Sequence, residues 1–317
     1  MQTPYTIAIL GTGAVGAYYG GRLAQHGHDV HFYARSDAAA IRQRGLIVES
    51  FRGDFTIPAD RVHVYDDVTK MPRADLVIVT LKATAKPQYR ELITPLLHDR
   101  TRVLCLQNGF GNEEAFAEVV GRERVMGAIA FVCINRVGPG HAKHTSHGLV
   151  KLGEFAGPLT DDSRRLVQWM VDSNIEAQAV DDLRRIRWEK LVWNIPFNGF
   201  GAALDLHTAG LLRSADGVSL VRATMHEVVK AGRAVGVDLR DDVIERLIET
   251  TYAAGDYHTS MQLDRQSGRA MEVDAILAEP IRQAEAAGCR DLPRMKALLE
   301  ALRVVDGATT PSREGTK

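Results

Sequence analysis

The run YTIAILGTGAVGAYYGGRLAQHGHDVHFYAR, residues 5–35, decides how the rest of the chain is read. Ile7 and Ile9 lie in a short β-branched apolar run, which reads as a buried strand. Gly11-Thr12-Gly13-Ala14-Val15-Gly16 follows at once, and a helical pattern continues from there to about His26. Residues 30–34 supply a second strand. Together they close a βαβ unit of about 30 residues, the setting in which a G-x-G-x-x-G run binds a dinucleotide. Gly11 makes the tight turn, Gly13 lets the backbone approach a pyrophosphate, and Gly16 lets the helix pack close to its strand. Free amides at the helix start, with the positive end of its dipole, then face the phosphates.

The end of the second strand selects among dinucleotides. A site for NAD carries Asp or Glu about 20 residues past the glycine run, to accept from the ribose hydroxyls. Here the strand ends Tyr33-Ala34-Arg35-Ser36, with no carboxylate at that place. The planar donor fork of Arg35 suits a phosphate, which predicts the 2′-phosphate of NADP as its partner. A solvated surface arginine is the plainer alternative.

The chain has 317 residues, enough for two domains, and its net charge of −1 gives no reason to expect nucleic acid or a membrane surface as partner. No apolar run is long enough to span a bilayer. Cys105, Cys133 and Cys289 lie far apart without metal or redox spacing, and read as small buried residues. The N-terminus enters a strand without a basic region or cleavage site, so no signal peptide is expected and the expected location is cytoplasmic.

Past Arg35 come a short helix over 38–44 and a hairpin of 46–51 with 55–57 around Gly53. Residues 76–81, LVIVTL, form a continuous apolar strand, covered on both faces, that runs into Lys82. A helix through Tyr89 and Leu97 leads to a strand over 103–106, which runs into Gln107-Asn108-Gly109, and 125–132 is one more strand. Such alternation predicts a doubly wound parallel sheet, whose ligands lie beyond the carboxyl ends of the strands. Arg35, Lys82 and Asn108 each follow such an end, and together they point to a site there. Residues 138–154 read as a hairpin or a pair of edge strands. Their His141, His144 and His147 do not predict a metal site, because strand side chains three apart face opposite ways and no further ligands complete a set.

From about 180 onward the patterns are helical. Val218, Val221, Met225, Val228, Val229 and Val235 recur at helical spacing, as do Val243, Leu247, Ile248 and Thr251. Val273, Ile276, Leu277, Ile281 and Ala284 make a third core stripe. The fold class that follows is α/β over residues 1–180, Rossmann-like, then an all-helical domain over 181–317, with 306–317 as a frayed tail. One helical stretch, RWEKLVWNIPFNGFGAAL over 187–204, sets Lys190, Asn194 and Asn198 four apart on one stripe amid bulky apolar residues. That stripe is either a solvated face or the lining of a cleft, and the apolar surroundings favour the cleft. Pro196, between the asparagines, removes a helical hydrogen bond and tends to kink the helix.

With these residues assembled, the chain resembles the ketopantoate reductase (2-dehydropantoate 2-reductase) family nearly end to end. The likeness rests on GTGAVG, Arg35, Leu81-Lys82-Ala83, Gln107-Asn108-Gly109, Trp188-Glu189-Lys190-Leu191 with Asn194 and Asn198, Ser260-Met261, and Glu272 in MEVD. The resemblance implies an NADPH/NADP+-dependent oxidoreductase that reduces a small 2-oxo acid, ketopantoate foremost, by hydride transfer. It makes Lys190 the proton donor and sets Glu272 near it. It also places Asn108, Asn194, Asn198 and Ser260 at substrate or nicotinamide, and Gly11, Thr12, Gly13, Ala14, Val15, Gly16, Arg35 and Lys82 at the cofactor, with Asn108 and Glu272 adjoining. A free lysine titrates near 10.4, so Lys190 is expected as an ammonium at pH 7. The chain departs from the family pattern at Pro196, at Ala278-Glu279-Pro280 in place of an Asn-Gly, and over 288–293. A reductase of another oxo acid and a non-catalytic NADP-binding regulator stay open as alternatives, as does a homodimer.

Overall fold

In a computed structural model of the chain, residues 5–309 are described. The chain divides into two compact units between Leu183 and Arg184, and the strip Asn108–Gly111 goes with the second.

The first unit opens with β1 (Thr6–Leu10), α1 (Ala14–Gln25) and β2 (Asp29–Tyr33), then α2 (Ala38–Arg44), β3 (Leu46–Ser50), β4 (Phe55–Ile57) and β5 (His63–Tyr65). It continues through β6 (Leu76–Val79), α3 (Tyr89–Ile93), β7 (Arg102–Cys105), α4 (Asn112–Val120), β8 (Val125–Gly138), β9 (His141–Glu154), α5 (Asp161–Asp172) and β10 (Ala177–Ala179). All ten strands join one sheet in the order β4-β3-β9-β8-β7-β6-β1-β2-β5, with β10 on β9. From β8 to β5 every pairing is parallel, as in Ile7 opposite Val30 and Ile78 opposite Leu104. β6, and β1 from Ile7 on, are apolar without a break because both faces are covered. Ile7, Ile9, Leu76 and Ile78 enter one core, while Ala8, Leu10, Val77 and Val79 enter the core on the other face. The period of two along each strand produces that division.

Three expectations are corrected here. The strand expected over 125–132 runs on to Gly138, because antiparallel pairing with β9 continues past the apolar run, Asn135 lying opposite Lys143. β9 is no edge strand: β3 pairs with it in parallel on its other side, Ile47 opposite His141. The helix expected through Tyr89 and Leu97 is broken into α3 and flanking 3₁₀ turns, Ala83–Gln88 and Thr94–Leu96. Pro87 and Pro95 each remove an amide donor there, which favours the breaks.

The second unit is built from α6 (Leu183–Leu204), α7 (Thr208–Leu211), α8 (Ala215–Ala234), α9 (Val243–Ala254), α10 (Ser260–Gln266), a π-helical turn Asp274–Ala278, α11 (Glu279–Ala286) and α12 (Pro293–Thr309). Trp188, Leu191, Val192, Ile195 and Phe197 of α6 are buried in one core with Val221, Met225 and Val228 of α8 and Leu298 and Leu302 of α12. Burying a side chain of this size contributes about 1.5–3 kcal/mol. α6 continues unbroken across Pro196. The π turn was not expected from the stripe at Val273–Ala284. Pro280 has no amide to give the Ile276 carbonyl, so the regular ladder cannot close there. The expected frayed tail is corrected at its start, since α12 runs to Thr309; residues 310–317 of that expectation lie outside the described residues.

Candidate functional site

In the first unit, α1 starts at Ala14 with no side-chain cap on Gly13 and no acidic residue in its first turn. Its first amides therefore have no side-chain acceptor, which is the arrangement that takes a phosphate. Gly11 sits at φ +104, and a Cβ on it would stand 2.8 Å from the Leu81 amide nitrogen. Only glycine lets the turn lie this close to the chain beyond β6. A Cβ on Gly16 would meet the Gly11 carbonyl at 2.1 Å, so α1 packs directly against the turn. Gly13 differs from both: it is exposed, and a Cβ there would meet nothing within 4 Å. That open side is where a pyrophosphate can approach, and the residues fit a dinucleotide. Thr12 is buried and donates from its amide (3.0 Å) and its hydroxyl (2.8 Å) to the Tyr33 carbonyl, tying the glycine turn to the end of β2. Ala14 and Val15 are half-buried at the start of α1.

β2, β1 and β6 are neighbours and parallel, so Arg35, the glycine turn and Lys82 follow the same edge of the sheet. Arg35 is exposed and makes no hydrogen bond or ion pair with another described residue. Lys82 is exposed at the start of the 3₁₀ turn. Asn108, expected at this edge with them, follows β7 in the chain but packs with the second unit.

The second unit brings Lys190, Asn108 and Glu272 together. Lys190 Nζ donates to Asn108 Oδ1 at 2.8 Å, and Asn108 Nδ2 donates to Glu272 Oε2 at 3.4 Å. Two contacts of the same strip hold Asn108 in place. The Phe110 amide donates to the Ala275 carbonyl in the π turn (2.9 Å), and buried Arg187 donates from Nη1 to the Gly109 carbonyl (3.1 Å). Gly109 stands at φ +78, with the Ala275 carbonyl oxygen 2.4 Å from where a Cβ would be.

Lys190 is half-buried, and its expected state is corrected. Loss of water around the ammonium, reinforced by the Arg187 guanidinium and opposed by the Glu272 carboxylate, lowers its pKa to about 7. Near neutral pH this amine is a poised acid or base. Sequence reading missed Arg187, although a signal was present: it lies three residues before Lys190, hence on the same helix face.

Asn194 and Asn198 are both 3% exposed. Asn198 Oδ1 accepts from Ser260 Oγ (3.3 Å) and from the Met261 amide (3.2 Å), so it holds the first turn of α10, where Ser260 is exposed. The side chain of Asn194 makes no hydrogen bond to another described residue.

His141 and His144 are held by different partners. His141 pairs with Glu49 at 2.9 Å, and buried His144 bonds Ser50 Oγ (2.9 Å) and the His147 carbonyl (3.0 Å). Among the described residues no group of three or more His, Cys, Asp or Glu could hold a metal, and no helix is long and apolar enough to cross a membrane. Cys105 is buried, and Cys133 and Cys289 are half-buried.

Residues 7–157 match the family model described as Ketopantoate reductase PanE/ApbA, and residues 182–306 match the model of its C-terminal part. A 2-dehydropantoate 2-reductase of Nostoc sp. (strain PCC 7120) is 38% identical over 305 residues, 95% of each chain. The crystal structure of 2-dehydropantoate 2-reductase from Geobacter metallireducens GS-15 is 41% identical with a TM-score of 0.92, covering 94% of this chain and 99% of that one. The ternary structure of D-mandelate dehydrogenase with NADH and anilino(oxo)acetate is similar in fold, with a TM-score of 0.88 at 23% identity over 96% of this chain and 99% of that one. With its sheet unit and its helical unit each matched by the corresponding family model, the chain belongs to the ketopantoate reductase family of oxidoreductases.

Proposed function

We propose that this chain uses NADPH to reduce a small 2-oxo acid, 2-dehydropantoate foremost, to the 2-hydroxy acid. The observation that carries the reading is the Lys190 amine, half-buried, 2.8 Å from Asn108 Oδ1 and poised near pH 7. A protein that only sensed NADP would need no such proton donor.

The cofactor, when bound, supplies a hydride to the ketone carbon. Lys190 gives its proton to the oxygen that becomes an alkoxide, and a pKa near the working pH is the efficient value for that transfer. Glu272, by accepting from Asn108 Nδ2, keeps Asn108 Oδ1 turned to Nζ. Its charge also favours the protonated amine. Asn194, with an uncommitted amide, is the donor best suited to the substrate carboxylate. Asn198, on α6, adds a side-chain amide and Ser260, at the start of α10, a hydroxyl. Arg35, assisted by Lys82, takes the 2′-phosphate, and the glycine run Gly11–Gly16 takes the pyrophosphate.

A different 2-oxo acid is the second reading, favoured by Pro196 and by Ala278-Glu279-Pro280, where the chain leaves the family pattern. The test is a panel of 2-oxo acids with NADPH and with NADH, followed by loss of nicotinamide absorbance. The expected result is fastest turnover with 2-dehydropantoate and NADPH. A faster oxo acid would replace the substrate, and no turnover with any of them would end the reading.

A further inference from the structure

The corner after β2 carries a carboxylate, Asp37, two residues past Arg35. An acid this close to the strand end is what a site for NAD uses on the ribose hydroxyls. In this chain it is withheld. Asp37 is 4% exposed and accepts from Arg136 Nε (2.8 Å) and Nη2 (2.7 Å), from the Gly140 amide (3.0 Å) and from Ser36 Oγ (2.9 Å). Arg136 reaches it from the far end of β8, and Gly140 from the turn between β8 and β9.

The next acids along this edge are committed as well. β5 lies beside β2, with the Ala34 amide donating to the Tyr65 carbonyl at 2.8 Å. Just past it, Asp66 is held by Arg42 at 2.9 Å, and Asp67 accepts from the amide and hydroxyl of Thr69. Around the end of β2 the acids are thus tied to partners, while Arg35 is exposed and has none among the described residues.

We propose that Arg136 determines cofactor specificity as a positioning residue: by holding Asp37 it removes the carboxylate that would serve NAD and repel a 2′-phosphate. The proposal rests on the cofactor reading given above. Arg136 acts through Asp37. Its side chain is 46% exposed, so replacing it leaves no buried cavity.

The test measures NADPH and NADH dissociation constants by nicotinamide fluorescence on the full chain, without substrate. It compares the unmutated protein with Arg136→Met, Arg136→Lys, Asp37→Asn and the double variant Arg136→Met/Asp37→Asn, each checked by thermal melting. Arg136→Met is expected to lower the NADPH-over-NADH ratio about tenfold, the effect of one like charge brought near the phosphate. Asp37→Asn should keep the ratio, Arg136→Lys should keep most of it, and the double variant should regain it. Equal weakening of both nucleotides in Arg136→Met, or a double variant no better than Arg136→Met, would overturn the proposal alone. An unmutated protein that binds both nucleotides equally, or neither, would overturn the cofactor reading and this proposal with it.

Discussion

At the scale of the residue, the proposed chemistry depends on how far Lys190 has moved from an ordinary amine. Burial and Arg187 bring it to about 7, so its protonated form gives way to the free amine as pH rises through that value. In the proposed mechanism, reduction needs the proton on Nζ. Its kcat/KM is therefore expected to be level in acid and to fall about tenfold per pH unit above about 7, and that of the reverse oxidation should rise as pH climbs towards about 7 and be level above it. In kcat the bend should lie higher, since a bound carboxylate near Nζ favours the charged amine. A kcat/KM flat from pH 6 to about 9 would refute the assignment. Lys190→Ala should cut turnover by about 10²–10⁴ while NADPH still binds by fluorescence. Lys190→Arg should recover little, because a guanidinium keeps the charge but does not give up a proton. Full recovery by arginine would mean that Lys190 only attracts the substrate. The sequence singled out Lys190 through its four-residue spacing from Asn194, but not its pKa, which depends on Arg187 being folded inward and on Glu272 far along the chain.

At the scale of the element, α6 and the π turn separate positions that look equivalent in sequence. Asn194 and Asn198 are alike in burial, yet only Asn198 anchors the start of α10. Asn194→Ala should raise KM with the melting temperature unchanged. Asn198→Ala should raise KM and also lower the melting temperature, since it leaves the Met261 amide without its acceptor, at about 1–3 kcal/mol. Equal melting temperatures in the two variants would remove the distinction. Gly109 depends on the π turn: its positive φ and its approach to Ala275 both exclude a side chain. Gly109→Ala should cost about 1–3 kcal/mol in stability and lower turnover further by displacing Asn108 from Nζ. Unchanged kinetics would show that the strip does not position Asn108. The helical stripes were legible from their spacing. The π turn was not legible from its stripe, although Pro280 marks a break in the ladder, and nothing local announces that its Ala275 carbonyl accepts from Phe110.

At the scale of the whole molecule, the sheet unit and the helical unit have separate cores, and the glycine turn with Arg35 and Lys82, proposed for the nucleotide, belongs to the first while the lysine cluster belongs to the second. NADPH at about 100 times its dissociation constant should stabilise what it binds by about 2.7 kcal/mol. Hydrogen exchange should slow at residues 14–17 and 34–37 but not in α8 and α9. Protection confined to the helices would contradict the proposed nucleotide edge. The βαβ opening was legible because apolar period, glycine run and second strand sit within one short stretch. Asp37 was not, since its partner Arg136 is brought to it only by the β8–β9 hairpin.

The strip Asn108–Gly111 bears on how such proteins can be recombined. A chimaera between this chain and a relative, joined at the seam between Leu183 and Arg184, would take the helical half from one parent and the amide facing Lys190 from the other. Crossovers placed there should give soluble hybrids with impaired turnover whenever the parents differ around Gly109 or the π turn. Transplanting residues 108–111 along with the helical half should restore it. The proposed functional module of this enzyme is thus discontinuous in its gene, and a fragment encoding only the helices would be a lysine without its guide.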